Sequence, residues 1–161
     1  MVMLMNDGKK IAVIRVRGST SMVPQLNETL RLLGLTRVNH CVVLGRTAQT
    51  AGMVELAKNY VAWGEVDAPT LAAVMEKRGR LAGDKKLSDA LVKASGFSSF
   101  SDFAEKVVAG KAQLNSVKGI KKVFRLHPPK KGHKGGIKKA YPYGALGNRG
   151  AEINELLKRM I

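Results

Sequence analysis

With 161 residues, 45% of them hydrophobic, the chain can bury a core of domain size and falls outside the class of wholly disordered basic tails. Its 28 Lys and Arg against 12 Asp and Glu leave a net charge of +16 and a pI near 10.3, a self-repulsion that calls for an anionic partner, nucleic acid before a membrane surface. No apolar run is long enough for a membrane-spanning helix, and a single cysteine, Cys41, excludes an intrachain disulfide.

The first residues, Met1-Val2-Met3-Leu4-Met5-Asn6-Asp7, are few and lack a basic leader, so no secretory signal is expected and the chain reads as cytosolic. Lys10 to Arg17 is a β-branched run that predicts a strand buried on at least one face. After the turn residues Gly18-Ser19-Thr20-Ser21, Pro24 suits the first turn of a helix. Leu26, Leu30 and Leu33 give that helix its apolar face, and Gly34 stands where a left-handed cap residue belongs. Val38 to Leu44 predicts a second strand. Thr47 can cap a second helix running through Met53, Leu56 and Ala57, and Val61 to Val66 closes a β-α-β-α-β unit over residues 1–66. Such an order predicts a small sheet with its helices on one face.

Residues 67–117 read as a helical insertion. Leu71, Val74 and Met75 mark one segment and Leu87 with Leu91 a second; Ser99 caps a third that carries Phe100, Phe103 and Val107 and ends at Gly110. With 8 basic and 6 acidic residues this stretch is near neutral, which suits a packed spacer or a protein-facing surface. Residues 118–161 differ sharply, with 12 basic residues and 2 acids. Ile120 to Leu126 predicts one more strand. The run 127–144 then holds five lysines, four glycines, three prolines and no acid, a composition expected to be extended or disordered in isolation. Ile153, Leu156, Leu157 and Met160 form the stripe of a closing helix that packs back on the body, with Asn148 expected as its N-cap and Lys158 and Arg159 placed well for its dipole.

The candidate chemistry is phosphate contact. Lys130, Lys131, Lys134, Lys138 and Lys139, with His133 among them, supply positive charge; the neighbouring glycines permit close backbone approach, and Tyr141 and Tyr143 offer faces for an unpaired base. Arg15, Arg17, Arg37, His40 and Arg46 lie at strand ends, where a cation is either a contact to RNA or simply solvated. His127 and His133 have no cysteine or carboxylate at metal-ligand spacing, so no metal is expected. Cys41 lies in a β-branched run and reads as a core residue. Neither Gly45-Arg46-Thr47 nor Gly110-Lys111-Ala112 has the spacing of a phosphate-binding loop, and no carboxylates converge. No catalytic residue and no cofactor is expected. These features alone also fit a sequence-tolerant nucleic-acid chaperone, or a protein adaptor acting through residues 67–117.

The stretch Pro24 to His40, PQLNETLRLLGLTRVNH, follows the pattern P-x4-TL-x-x-LGL-x-R-x-x-H, and Thr47 to Val54 follows T-x4-GM-[IV]. With Val123-Phe124-Arg125-Leu126-His127-Pro128-Pro129 and Gly147-Asn148-Arg149-Gly150, it resembles the large-subunit ribosomal protein family L30 (L7 in eukaryotes). The insertion and basic end are similar to the long archaeal and eukaryotic form, and the absence of a basic extension before the first strand looks archaeal. Ala48 stands where bacterial members often carry proline. The resemblance implies an α+β fold: a ferredoxin-like core with a three-stranded sheet and a central first strand, a helical insertion and a basic C-terminal loop ending in a helix. It further implies a non-enzymatic, monomeric constituent of the cytoplasmic ribosome, bound to large-subunit ribosomal RNA and neighbouring ribosomal proteins. RNA contacts implied by position fall on Arg125, His127, Lys130, Lys131, Asn148 and Arg149.

Overall fold

The computed structural model describes residues 9–161. The strands β1 (Lys10–Arg15), β2 (His40–Gly45) and β3 (Val61–Glu65) alternate with helices α1 (Pro24–Leu32) and α2 (Ala48–Leu56). Three helices follow, α3 (Ala68–Arg78), α4 (Asp89–Ala94) and α5 (Phe100–Val108), then the short strands β4 (Val123–Arg125) and β5 (Gly147–Asn148) and the closing helix α6 (Ile153–Met160). The sheet order is β4-β2-β1-β3-β5. Among the described residues the sheet has five strands rather than the three that the resemblance implies: β4, which lies within the strand expected from Ile120 to Leu126, and β5, which was not expected, add to the outer edges of β2 and β3.

β1 is the central strand, antiparallel to β2 and to β3, with Val13 opposite Val42 on one side and Trp63 on the other. Ile11, Val13, Val42 and Val61 pack on one face under Leu30 and Leu33 of the first helical pair and Val54 and Ala57 of the second. Ala12, Ile14, Cys41 and Ala62 face the other way, toward Leu71, Phe103, Phe124 and Leu156. Helices thus lie on both faces, and the expectation of one face holds only for α1 and α2. The insertion and α6 form the second layer, which is why Ile11 to Ile14 are all buried and β1 reads as a continuous apolar run.

Local signals explain most boundaries. Gly34, at φ +83°, lets its N–H reach Arg31 C=O (2.9 Å) and the Leu35 N–H reach Leu30 C=O (2.8 Å), closing α1 with its last carbonyls satisfied. The start of α2 is set by a reciprocal box: Thr50 N–H donates to Thr47 Oγ1 (3.2 Å) and Thr47 N–H to Thr50 Oγ1 (2.9 Å). Ser99 caps α5 as expected, accepting from Asp102 N–H (3.3 Å). In α4 the buried residue is Val92, while Leu91 is 41% exposed; Leu87 is buried from the preceding turn, so the two leucines do not share a face.

Ile153, Leu156, Leu157 and Met160 are buried as their spacing predicts, each contributing roughly 2 kcal/mol. Asn148 is not the cap of that helix. It lies in β5, where its Oδ1 accepts from Gly150 N–H (2.9 Å), and a 3₁₀ turn over Gly150–Glu152 leads into α6. Asn154 pins the first turn of α6 to the end of β3, accepting from Asp67 N–H (2.9 Å) and donating to Glu65 C=O (3.0 Å).

Candidate nucleic-acid interface

Strand polarity gathers the cations. In the antiparallel register Arg15 ends β1 opposite Val61, the first residue of β3, and His40 begins β2 opposite Arg125, the last residue of β4. Since α6 starts beside Glu65 at the far end of β3, it finishes at this same end, and residues 127–144 leave from β4 here. Arg17, Arg37, His40, Arg125, His127 and the lysine loop therefore share one end of the sheet. Arg46 does not. It follows the last residue of β2 at the opposite end, where it pairs with Glu65 (3.7 Å), so the structure separates it from the other candidates.

The loop is neither extended nor loosely attached. The last carbonyls of a helix lack intrahelical partners, and here the loop supplies them: His127 N–H donates to Met160 C=O (2.9 Å) and Lys130 N–H to Arg159 C=O (3.0 Å). The Arg159 guanidinium returns the contact, donating to Lys130 C=O from Nε (3.0 Å) and to Gly132 C=O. Farther on the chain doubles back, with Ala145 N–H to Gly136 C=O (3.0 Å), Leu146 N–H to Lys139 C=O (3.2 Å) and Tyr141 N–H to Leu146 C=O (2.8 Å). Gly135, at φ +72°, marks a crossing where a Cβ would run into the Tyr143 carbonyl. Pro129 is buried at the base. The expectation of an extended or disordered segment rested on its few apolar residues; helix-end carbonyls and glycine crossings organise it instead.

On this frame Lys130, Lys131, Lys134, Lys138 and Lys139 are all exposed, as are Arg37 and His127. Among the described residues none of these lysines has an acidic partner, which is the arrangement phosphate requires. Arg125 is exposed but shares Asp84 (3.5 Å) with Lys121, and those two cations hold the Asp84 carboxyl below its usual pKa. Arg17 lies 4.8 Å over the Tyr60 ring and donates to Asn59 C=O (3.2 Å). Arg15 departs from the expectation of an exposed strand-end cation. It is only 1% exposed, and it donates to Arg17 C=O (2.9 Å), Leu35 C=O (2.8 Å) and Ser19 Oγ (2.7 Å), tying the β1 end to the α1 exit.

His40 and His133, two of the three histidines in this region, are electrostatically similar. Burial, then Arg125, Arg37 and Arg15, hold the His40 imidazole below its ordinary pKa. Burial, then Arg149 and Arg159, do the same to His133, whose Nδ1 is buried without a partner. The tyrosines differ from each other. Arg149 lies 5.2 Å over the Tyr141 ring, and Glu152 beside the Tyr141 phenol raises its pKa. Tyr143 is 79% exposed and has a free face for a base. Asn148 is exposed, whereas Arg149 is half-buried and acts on Tyr141 from the inside. Arg159, which clamps the loop, was missed as a site residue. Its position signalled a helix-dipole cation, but carbonyls 27 and 29 residues away leave no trace in local sequence. The exposed Lys158 beside it belongs to the same end.

A family model described as ribosomal protein L30p/L7e matches residues 11–61, from β1 to the first residue of β3. The large ribosomal subunit protein uL30 of Methanocella arvoryzae is 47% identical over 151 residues, 92% of this chain and 98% of its own length. The chain belongs to the L30p/L7e family. Its uL30 relative from Archaeoglobus fulgidus is 47% identical over 150 residues (92% of this chain, 98% of the relative) and that from Methanothrix thermoacetophila 46% over 150, with the same coverage. Alignments of that length include the helical insertion and the basic segment, so the resemblance drawn from short motifs extends to the whole archaeal type of the family.

Proposed function

We propose that this protein is a structural, non-enzymatic constituent of the large ribosomal subunit in the cytoplasm, where one copy binds and stabilises ribosomal RNA through the basic end of its sheet. The carrying observation is the convergence of Arg17, Arg37, Arg125 and five exposed, acid-free loop lysines on a loop fastened to the C-terminus of α6. A preformed array of cations, its loop lysines without acidic partners among the described residues, gives affinity for closely spaced phosphates with little ordering left to do on binding. In this reading the lysines and Arg37 contact phosphate, Tyr143 stacks on an exposed base, and His127 and Asn148 add polar contacts. Arg149, Tyr141 and His133 hold the inner side of the loop, and Arg15 holds the strand end from beneath.

The three segments divide the work. Residues 1–66 supply the ferredoxin-like core with β1 at its centre, 67–117 a helical layer available to neighbouring ribosomal proteins, and 118–161 the RNA-binding extension. Cosedimentation of the full chain with large subunits in high salt tests the assignment. Retention through the wash is expected; release would favour a sequence-tolerant nucleic-acid chaperone.

A further inference from the structure

β4 pairs with β2 only from His40 to Val42, and among the described residues no strand pairs with the rest of that edge. Arg46 N–H bonds Lys9 C=O (3.2 Å), and the antiparallel alternation that this bond fixes turns the Val43 C=O and Gly45 N–H away from β1. Among the described residues neither group has a partner on the outer side. Beside them lies an open groove of about 620 Å³, floored by Leu33, Met53 and Val123 from the α1, α2 and β4 side and by Leu114 from the other layer. Gln49 and Asn115 stand on its rim, and among the described residues Lys10 and Lys122 are its charged groups and no acid lines it. The Lys10 ammonium lies 3.6 Å from where a Cβ on Gly45 would sit, at the outer end of the open edge. Everything about this groove differs from the basic loop: it is apolar, presents backbone hydrogen-bonding groups, and has a cation at each end.

We infer that the Val43–Gly45 edge of β2 binds an extended peptide of a neighbouring protein that carries a carboxylate at its leading end. In a parallel ladder, one guest residue opposite Leu44 donates its N–H to Val43 C=O and accepts from Gly45 N–H. The guest then runs with β2 toward Lys10, so its terminal carboxylate or an acidic side chain meets that ammonium. Alternate side chains of the guest enter the apolar floor, the usual division of labour when a strand is added to a sheet edge. A nucleic acid lacks the regularly alternating N–H and C=O of a peptide strand and would place phosphates over leucine and methionine.

The test uses the isotopically labelled full chain and the probe peptide acetyl-Thr-Val-Thr-Val-Asp with a free C-terminal carboxylate. The Gly45 amide is expected to shift and to gain protection from hydrogen exchange on titration. Blocking the amide of the valine that precedes Asp by N-methylation, amidating the C-terminus with Asn in place of Asp, or making Lys10→Glu should each weaken binding at least tenfold. The peptide controls hold even if the variant folds poorly. Failure of the peptide to bind at millimolar concentration, binding that leaves the Gly45 amide unmoved, or a uridine hexanucleotide that binds this edge in its place would each overturn the inference.

Discussion

Arg15 and Arg17 stand two residues apart and are cations of different kinds. Arg15 is buried with its guanidinium bonded to two carbonyls and a hydroxyl; Arg17 is half-exposed over Tyr60. Replacing Arg15 by Ala strips the buried Leu35 carbonyl and the part-buried Arg17 carbonyl of a charged donor and leaves a void, a loss on the order of 3 kcal/mol in unfolding free energy. RNA affinity per folded molecule should be unchanged, which denaturant titration and filter binding on the same preparation will check. Nothing in the sequence separates these two arginines, because the difference arises from Leu35 C=O arriving across α1. Cys41, by contrast, was legible. Its β-branched surroundings predict a core thiol, and burial raises its pKa to about 12, so alkylation at neutral pH should proceed only at the rate of unfolding. For His40 and His133 the sign is fixed by their lowered pKa values. The unfolded chain binds protons more readily, so stability is full above the ordinary value of 6.5 and is lost as pH falls below it. The free protein should therefore melt at a lower temperature at about pH 5 than at pH 7, and a His40→Gln, His133→Gln variant should flatten that dependence. Bound phosphate favours the imidazolium, so RNA should reduce the acid loss.

At the scale of elements, periodicity and capping residues were enough to place α1, α2, α5 and α6, since each carries its own signal: Gly34, the Thr47 and Thr50 pair, Ser99, and the stripe from Ile153 to Met160. Of the edge strands, β4 lies within the run Ile120 to Leu126 that predicts a strand. β5 is two residues long and exists because β3 offers a free edge, not because Gly147-Asn148 favours a strand. The loop was illegible for a related reason: its order comes from carbonyls of α6 and from backbone crossings, neither of which composition records. Gly64 shows how closely these pieces meet. A Cβ there would strike the Gly150 carbonyl and lie 2.9 Å from Ile153 Cβ, so Gly64→Ala must push β5 and the start of α6 off the sheet. We expect a loss of about 2 kcal/mol or more, with amide exchange accelerated first in residues 145–157. Arg159→Ala removes the clamp on Lys130 and Gly132 carbonyls, and should weaken RNA binding several-fold while leaving the thermal midpoint nearly unaltered.

Over the whole molecule, charge and core are kept apart. The two apolar clusters flank the sheet, and most of the excess of cations over acids lies in residues 118–161, which meet the body through β4, β5, α6 and the bonds of Gly119 and Lys121 to Ala82 and Arg80. Such a distribution costs self-repulsion in the free chain and is offset when phosphate replaces counterions around the lysines. The salt dependence of affinity for large-subunit ribosomal RNA measures that exchange directly. With about six cations on phosphate, log K against log salt should fall with a slope of about −4 to −5. Converting Lys130, Lys131, Lys134, Lys138 and Lys139 to Gln should reduce the slope to about −1. A slope left unchanged by those five substitutions would contradict the assignment of the interface to this end of the sheet.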